Sequence, residues 1–221
     1  MKRMPLSLLV LALTALPAAA HTETGLGFST WAGFEHPFAG LDHATAMVAV
    51  GLWAATCGGK RIWAWPLAFV LAMIAGAMFG HVRPVLPFVE PAIAVSVLLL
   101  GLLIALTLRA PLSAGAAVVA VFAIVHGHAH GAEAPAGGFA SYMFGFTAAT
   151  AILLGLGIVV GLEATKFMDH VMGRRLQAKH GPAALPARNP KTSAFFGAVA
   201  AATGGVIVLL GLVMLVQSAV N

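Results

Sequence analysis

The sequence predicts an all-α, polytopic membrane protein: a bundle of six transmembrane helices that follows a cleaved signal peptide. Three observations predict it. Of 221 residues, 60% are hydrophobic and 9% charged, with a mean hydropathy of +0.96, whereas soluble domains carry about a quarter charged residues. Apolar segments near the roughly 20 residues that cross a bilayer as a helix recur six times. The basic residues fall almost wholly on one side of the alternating loops that these segments imply.

Residues 1–20, MKRMPLSLLVLALTALPAAA, carry Lys2 and Arg3, then an apolar run, then Ala18-Ala19-Ala20. That is the layout of a secretory signal peptide with a small-residue cleavage site, the bland alternative being an uncleaved first helix. Cleavage exposes His21 as a new N-terminus outside the cytoplasm. The transmembrane domain, 21–221, then has spans at about 37–56, 62–80, 91–108, 111–130, 138–162 and 195–219. Backbone groups in lipid must pair within their own segment, so each span reads as a helix. Hinges such as CGGKR and RAP are short. The one long connection, 163–192, is basic and holds three prolines, as a cytoplasmic loop with a short amphipathic helix around Lys166–Lys179 would.

With the mature N-terminus outside, the inner loops hold Lys60, Arg61, Arg109, Lys166, Arg174, Arg175, Lys179, Arg188 and Lys191, and the outer side only Arg83. Cytoplasmic loops are enriched in Lys and Arg, so charge and signal peptide give one orientation. The formal charge of +5 and pI near 10 thus follow from topology, and no nucleic-acid partner is expected. Trp31, Trp53, Trp63 and Trp65 are expected as interfacial anchors. Gly155, Gly157 and Gly161, with Ala198, Ala202 and Gly205, are expected at close helix contacts. Cys57 is the single cysteine, which excludes an internal disulfide, and is expected as a buried, inert thiol.

Polar residues are costly in such spans and mark candidate sites. In EHPFAGLDHATAMVAVG, 35–51, Pro37 suits the first helical position, which puts His36 at the cap. Asp42 and His43 would then lie about 8–9 Å inside the helix start. His36 and His43 are seven apart on one helical face, and Met47 continues it. Either this is an ordinary acidic helix start, or imidazole and carboxylate bind a divalent first-row metal, with Asp42 a ligand or the partner that fixes a histidine tautomer.

The second cluster, FAIVHGHAHGAE at 122–133, closes the fourth span. The strictly apolar part of that span is too short to cross, so the helix is expected to reach His130 and stop at Gly131. His126 and His130 then share a face one turn apart, His128 points elsewhere, and Glu133 lies just beyond. The alternative is an exposed, flexible histidine-rich turn. Topology puts both clusters in the outer half of the membrane. Glu90 and His81 belong to the same outer side, Glu163, His170 and His180 to the inner.

These residues carry a resemblance to the HupE/UreJ family of nickel permeases. The pattern H-P-x-x-G-x-D-H-x-x-A-M-x-x-V-G is matched by His36, Pro37, Gly40, Asp42, His43, Ala46, Met47, Val50 and Gly51. The second cluster resembles that family's second motif in His126, Gly127, His130, Gly131 and Glu133. GFTAATAILLGLGI resembles its fifth-span segment, with Leu154 where the family often has a histidine. The resemblance implies a secondary transporter in the bacterial cytoplasmic membrane that takes Ni(II), or Co(II), into the cytoplasm to supply hydrogenase or urease maturation. The implied metal site is His36, Asp42, His43, His126, His130 and Glu133. His21 joins it as an N-terminal imidazole and amine, or is simply a frayed terminus. No enzymatic activity and no organic cofactor are implied. The competing readings are an intramembrane zinc-dependent hydrolase, although no H-E-x-x-H is present, and a metal sensor that binds without transport. No phosphate-binding G-x-x-x-x-G-K-[ST] occurs, so the membrane potential is the expected driving force.

Overall fold

The computed structural model describes residues 26–82, 86–135, 137–180 and 190–220, with side chains over 29–82, 86–135, 137–167 and 202–218. The expected signal peptide and His21 lie outside the described residues. Seven helices form: α1 (Leu26–Ala39), α2 (Leu41–Cys57), α3 (Arg61–Val82), α4 (Val89–Ala105), α5 (Leu112–Glu133), α6 (Phe139–His180) and α7 (Pro190–Val220). Three stretches are long and apolar enough to cross a membrane: Arg61–Val82, Leu112–Glu133 and Phe139–Phe167. Counting the bent pair α1 and α2 as one span makes four, and Val89–Ala105 and Ala202–Ser218 are shorter apolar helices. The described residues form helices and no strands, as expected; the six-span count goes beyond those helices.

The first span departs from expectation. Pro37 does not open it but lies inside α1, two residues from that helix's end. A proline there lacks the N–H that would bond the carbonyl four residues back, which weakens the last turn. Gly40 follows in an extended conformation (φ −101°, ψ 113°) and caps α2. The chain turns by 80° between α1 and α2. Asp42 and His43 therefore occupy the first turn of α2 rather than a point well inside a longer helix, and His36 ends a different helix.

Helix α2 is the hub, touching α1, α3, α4, α6 and α7. Its buried Met47, Val50 and Trp53 join Trp65, Phe69 and Met73 of α3, Leu100 of α4, and Phe146 and Leu154 of α6 in one core. Small residues bring the pairs together. A Cβ on Gly76 or Gly80 of α3 would strike the backbone of Ile124 or His128, and one on Gly127 or Gly131 of α5 the backbone of Met73 or Ala77. Gly157 closes against Val48 and Gly161 against Ala55, whereas Gly155 and Gly205 face open space. Gly131, expected as a helix stop, is instead such a contact, and α5 runs on to Glu133.

At the opposite end from the histidines, the two hinges are tied to each other. Trp53 Nε1 donates to Leu108 O, Arg61 Nε to Ala110 O and Trp65 Nε1 to Leu112 O, each at 2.9 Å. Trp53 and Trp65 are thus buried hydrogen-bonded rings, 4.3 Å apart, and only Trp31 and Trp63 are exposed as interfacial anchors would be. The carbonyls left by the hinge explain the difference: an indole N–H near them is satisfied inside the protein. Cys57 is half-buried, with Sγ 3.8 Å from Leu108 O, because the same hinge leaves its helix end open. Helix α6 continues to His180, so the short helix expected around Lys166–Lys179 is part of it.

Candidate metal centre

The 80° turn at Gly40 decides what the first histidine motif can do. It leaves α1 packed along α6, where His36 from the last turn of α1 and His43 from the first turn of α2 reach the same ring. The His130 ring centroid is 4.7 Å from that of His36 and 4.3 Å from that of His43, and His43 is 5.1 Å from His126. Four imidazoles thus form a connected row in the order His36, His130, His43, His126. A straight helix beginning at residue 37 would have aligned His36 and His43 on one face, a different geometry from the one found.

The row begins at a half-exposed ring and ends at a wholly buried one, with His43 a little more exposed than His130 before it. The side chains of His36 and Glu133 are 34% and 49% exposed, that of His43 11%, and that of His130 1%; His126 is wholly buried. Glu133 Oε2 lies 3.1 Å from His36 Nε2 and 3.8 Å from His130 Nδ1. One donor atom from each of His36, His130 and Glu133 falls within 4.8 Å of the others. An ion bound at about 2.1 Å spans donors up to about 4.2 Å apart, so a closure of under about 1 Å would let them share one.

The ring protons of two histidines are positioned by their neighbours. Asp42 Oδ1 accepts from the His43 backbone N–H at 2.9 Å and stands 2.7 Å from His43 Nδ1. His126 Nδ1 lies 2.9 Å from the Phe122 carbonyl. Both oxygens are acceptors, so in its neutral form each ring carries its proton on Nδ1 and leaves the Nε2 lone pair open. Among the described residues neither Nε2, nor either nitrogen of His130, has a hydrogen-bond partner; all four atoms are buried, as are the equally unpaired ring nitrogens of His128. A buried polar atom without a partner costs about 1–3 kcal/mol. Lone pairs held unpaired side by side are a donor set that fits a late first-row cation.

The structure therefore brings together His36, Asp42, His43, His126, His130 and Glu133, with Asp42 against His43 as the tautomer-fixing partner. His128 points away, as expected, and its ring lies 5.5 Å from Phe79. The segment is a buried helix rather than an exposed turn. Glu90 stands exposed in the first turn of α4, and Glu163 pairs with Lys166 at 2.7 Å on the exposed side of α6.

Aromatic neighbours on α3 and α6 complete the walls, and the sequence reading had not singled them out. Phe146 lies 4.3 Å from the His130 ring, Phe69 6.1 Å from His126, and Tyr142 5.9 Å from His36. Below the histidines, Thr150 Oγ1 donates to Met73 Sδ at 3.5 Å. Of these only Tyr142 carried a signal, as the one tyrosine of the chain.

Comparison with known proteins agrees with the motifs. A profile described as HupE / UreJ protein matches residues 9–214. Protein HupE of Rhizobium leguminosarum bv. viciae is 50% identical over 159 residues, 71% of this chain and 82% of that protein. No solved structure matches. With the family profile covering nearly the whole chain, and both histidine motifs at one end of the bundle, the chain belongs to the HupE/UreJ family.

Proposed function

We propose that the protein is a secondary transporter that takes Ni(II), and Co(II) with it, into the cytoplasm. The observation that carries this is the row of imidazoles in which His130 sits between His36 and His43, leading from half-exposed donors to a fully buried one. A static binding site needs one cage; a row of overlapping donor sets offers an ion successive positions.

In this reading His36, Glu133 and His130 take the hydrated cation at the outer face. His130 then shares it with His43, and the Nε2 atoms of His43 and His126 receive it deeper in the bundle. Asp42 acts through His43, holding its proton on the far nitrogen. Imidazole and carboxylate donors favour late first-row divalent ions over Mg(II) and Ca(II), while Cu(II) would bind at least as well. Selectivity against copper then rests on geometry and on how little of it is free. Binding stays weak enough for release because no position is a closed cage. An inward, negative-inside potential contributes about 4–5 kcal/mol per 100 mV to a divalent cation. Six spans, an inner-membrane location, a periplasmic mature N-terminus and delivery to hydrogenase or urease maturation complete the proposal. His21, once N-terminal, is a further donor at the outer face.

Uptake of radiolabelled nickel into proteoliposomes tests it. Wild type is expected to accumulate nickel faster than empty vesicles, and His43→Ala and His130→Ala to fall to the empty-vesicle rate. Nickel binding without accumulation would leave a sensor, and hydrolytic activity without accumulation an enzyme.

A further inference from the structure

We propose that the hydroxyl of Tyr142 belongs to the outer capture site, where it holds a water molecule that the divalent cation keeps when His36, His130 and Glu133 take it. This rests on the metal-site reading above and adds a group that neither histidine motif contains.

Tyr142 stands in the first turns of α6, one turn before Phe146. Its ring lies edge-on to His36, a member of the capture triad, at 5.9 Å, and parallel at 6.2 Å to Phe146, which also touches His130. The residue is 3% exposed, and its buried hydroxyl oxygen has no hydrogen-bond partner among the described residues. A Cβ on Gly33 of α1 would strike the Tyr142 carbonyl, and one on Gly145 the Thr30 carbonyl, so α1 and α6 touch backbone to backbone at Tyr142 and again three residues on. Phenylalanine would fill this space equally well, and packing alone gives no reason for the oxygen.

The ion supplies one. Three protein donors leave a first-row divalent cation with coordination positions still held by water. Such a water is a strong hydrogen-bond donor because the cation polarises it, and it needs an acceptor once bulk solvent is excluded. A phenol oxygen offers acceptor lone pairs and one donor, so it can accept from the metal-bound water while donating to the Glu133 side of the site. Tyr142 is thus a positioning group that acts through water, and it favours a partly hydrated cation over one stripped bare.

The test uses the purified full chain and nickel itself. Equilibrium dialysis compares nickel Kd for wild type and Tyr142→Phe, and ultraviolet resonance Raman follows the tyrosine doublet that reports phenol hydrogen bonding. The chain has a single tyrosine, so the signal is unambiguous. Tyr142→Phe is expected to weaken nickel binding about three- to tenfold, the range for losing one hydrogen bond. Its metal-free unfolding temperature should stay unchanged or rise, and the wild-type doublet should shift on adding nickel but not in His36→Ala. Equal Kd values, or a lower unfolding temperature with Kd unchanged, would overturn the role of the hydroxyl and leave the histidine site standing. A wild type that binds nickel without transporting it sinks transport but not this role, and one that binds no nickel sinks both.

Discussion

At the scale of single residues, the proposed metal site turns on the position of one proton. His43 can offer Nε2 to an ion only while its proton stays on Nδ1, and Asp42, 2.7 Å away, holds it there. Removing the charge in Asp42→Asn leaves an acceptor of weaker pull that can also flip and offer N–H instead. Such partners of metal-binding histidines are typically worth 10–100-fold in affinity or activity. Nickel uptake is therefore expected to fall by about 10-fold or more, with the unfolding temperature little changed because Asp42 is partly solvated. Gly40 makes a sharper test. A Cβ there would come within 2.8 Å of both Asp42 Oδ1 and His43 Nδ1. Gly40→Ala should push this pair apart and lower uptake while the helices stay folded, as circular dichroism would show. The donors themselves were legible in the sequence, since charged and imidazole groups in an apolar segment need a reason. Tyr142 was not. A lone tyrosine in a span has no periodic partner, and its importance appears only when α1 brings His36 against it.

At the scale of elements, what a sequence reveals is the apolar run, and what it hides is how a run is broken. Residues 26–57 read as a lead-in and one straight span; the structure makes them two helices at 80°. Hydrophobic periodicity is blind to this, because Pro37 is compatible with a first turn as well as with a last one. The same holds for Gly131, a natural stop by rule but here a contact surface for Ala77. Close approach also separates glycines that look alike. Gly127 has the Met73 backbone where a Cβ would go, while Gly155 and Gly205 have nothing within reach. Gly127→Ala is expected to force α3 and α5 apart at about 1–3 kcal/mol, the usual cost of overpacking, and so to lower both the unfolding temperature and uptake. Gly155→Ala and Gly205→Ala should leave the unfolding temperature unchanged or raise it, since alanine is the better helix former. Thermal unfolding of the three variants in one detergent decides the matter; equal losses would mean that the α3–α5 contact is not tighter than the rest.

For the whole molecule, the question is which end faces out. The basic residues at the two short hinges, Lys60, Arg61 and Arg109, are gathered at one end by the three hydrogen bonds that link those hinges. Glu133 and the half-exposed His36 are at the other end. A capture site for a cation belongs where the ion arrives, and cytoplasmic loops collect Lys and Arg. On the proposed uptake reading, both considerations favour an outward-facing histidine end. In a Cys57→Ser background, a cysteine at Gly137, exposed beside α5 and with nothing around it, should react with a membrane-impermeant maleimide in intact cells. Cysteines at Lys60 and Arg109, both exposed, should react only after the membrane is opened. The reverse pattern would place the buried imidazole row at the cytoplasmic face, where it would serve release rather than capture. The direction of flux gives an independent check. A divalent cation that crosses alone should enter faster when the interior is made negative, and initial nickel uptake into vesicles should rise with an imposed inside-negative potential and fall when the potential is reversed. If uptake ignores the potential, the ion's charge is balanced during crossing. The imidazoles lining the row are then the groups through which protons would travel in the opposite direction.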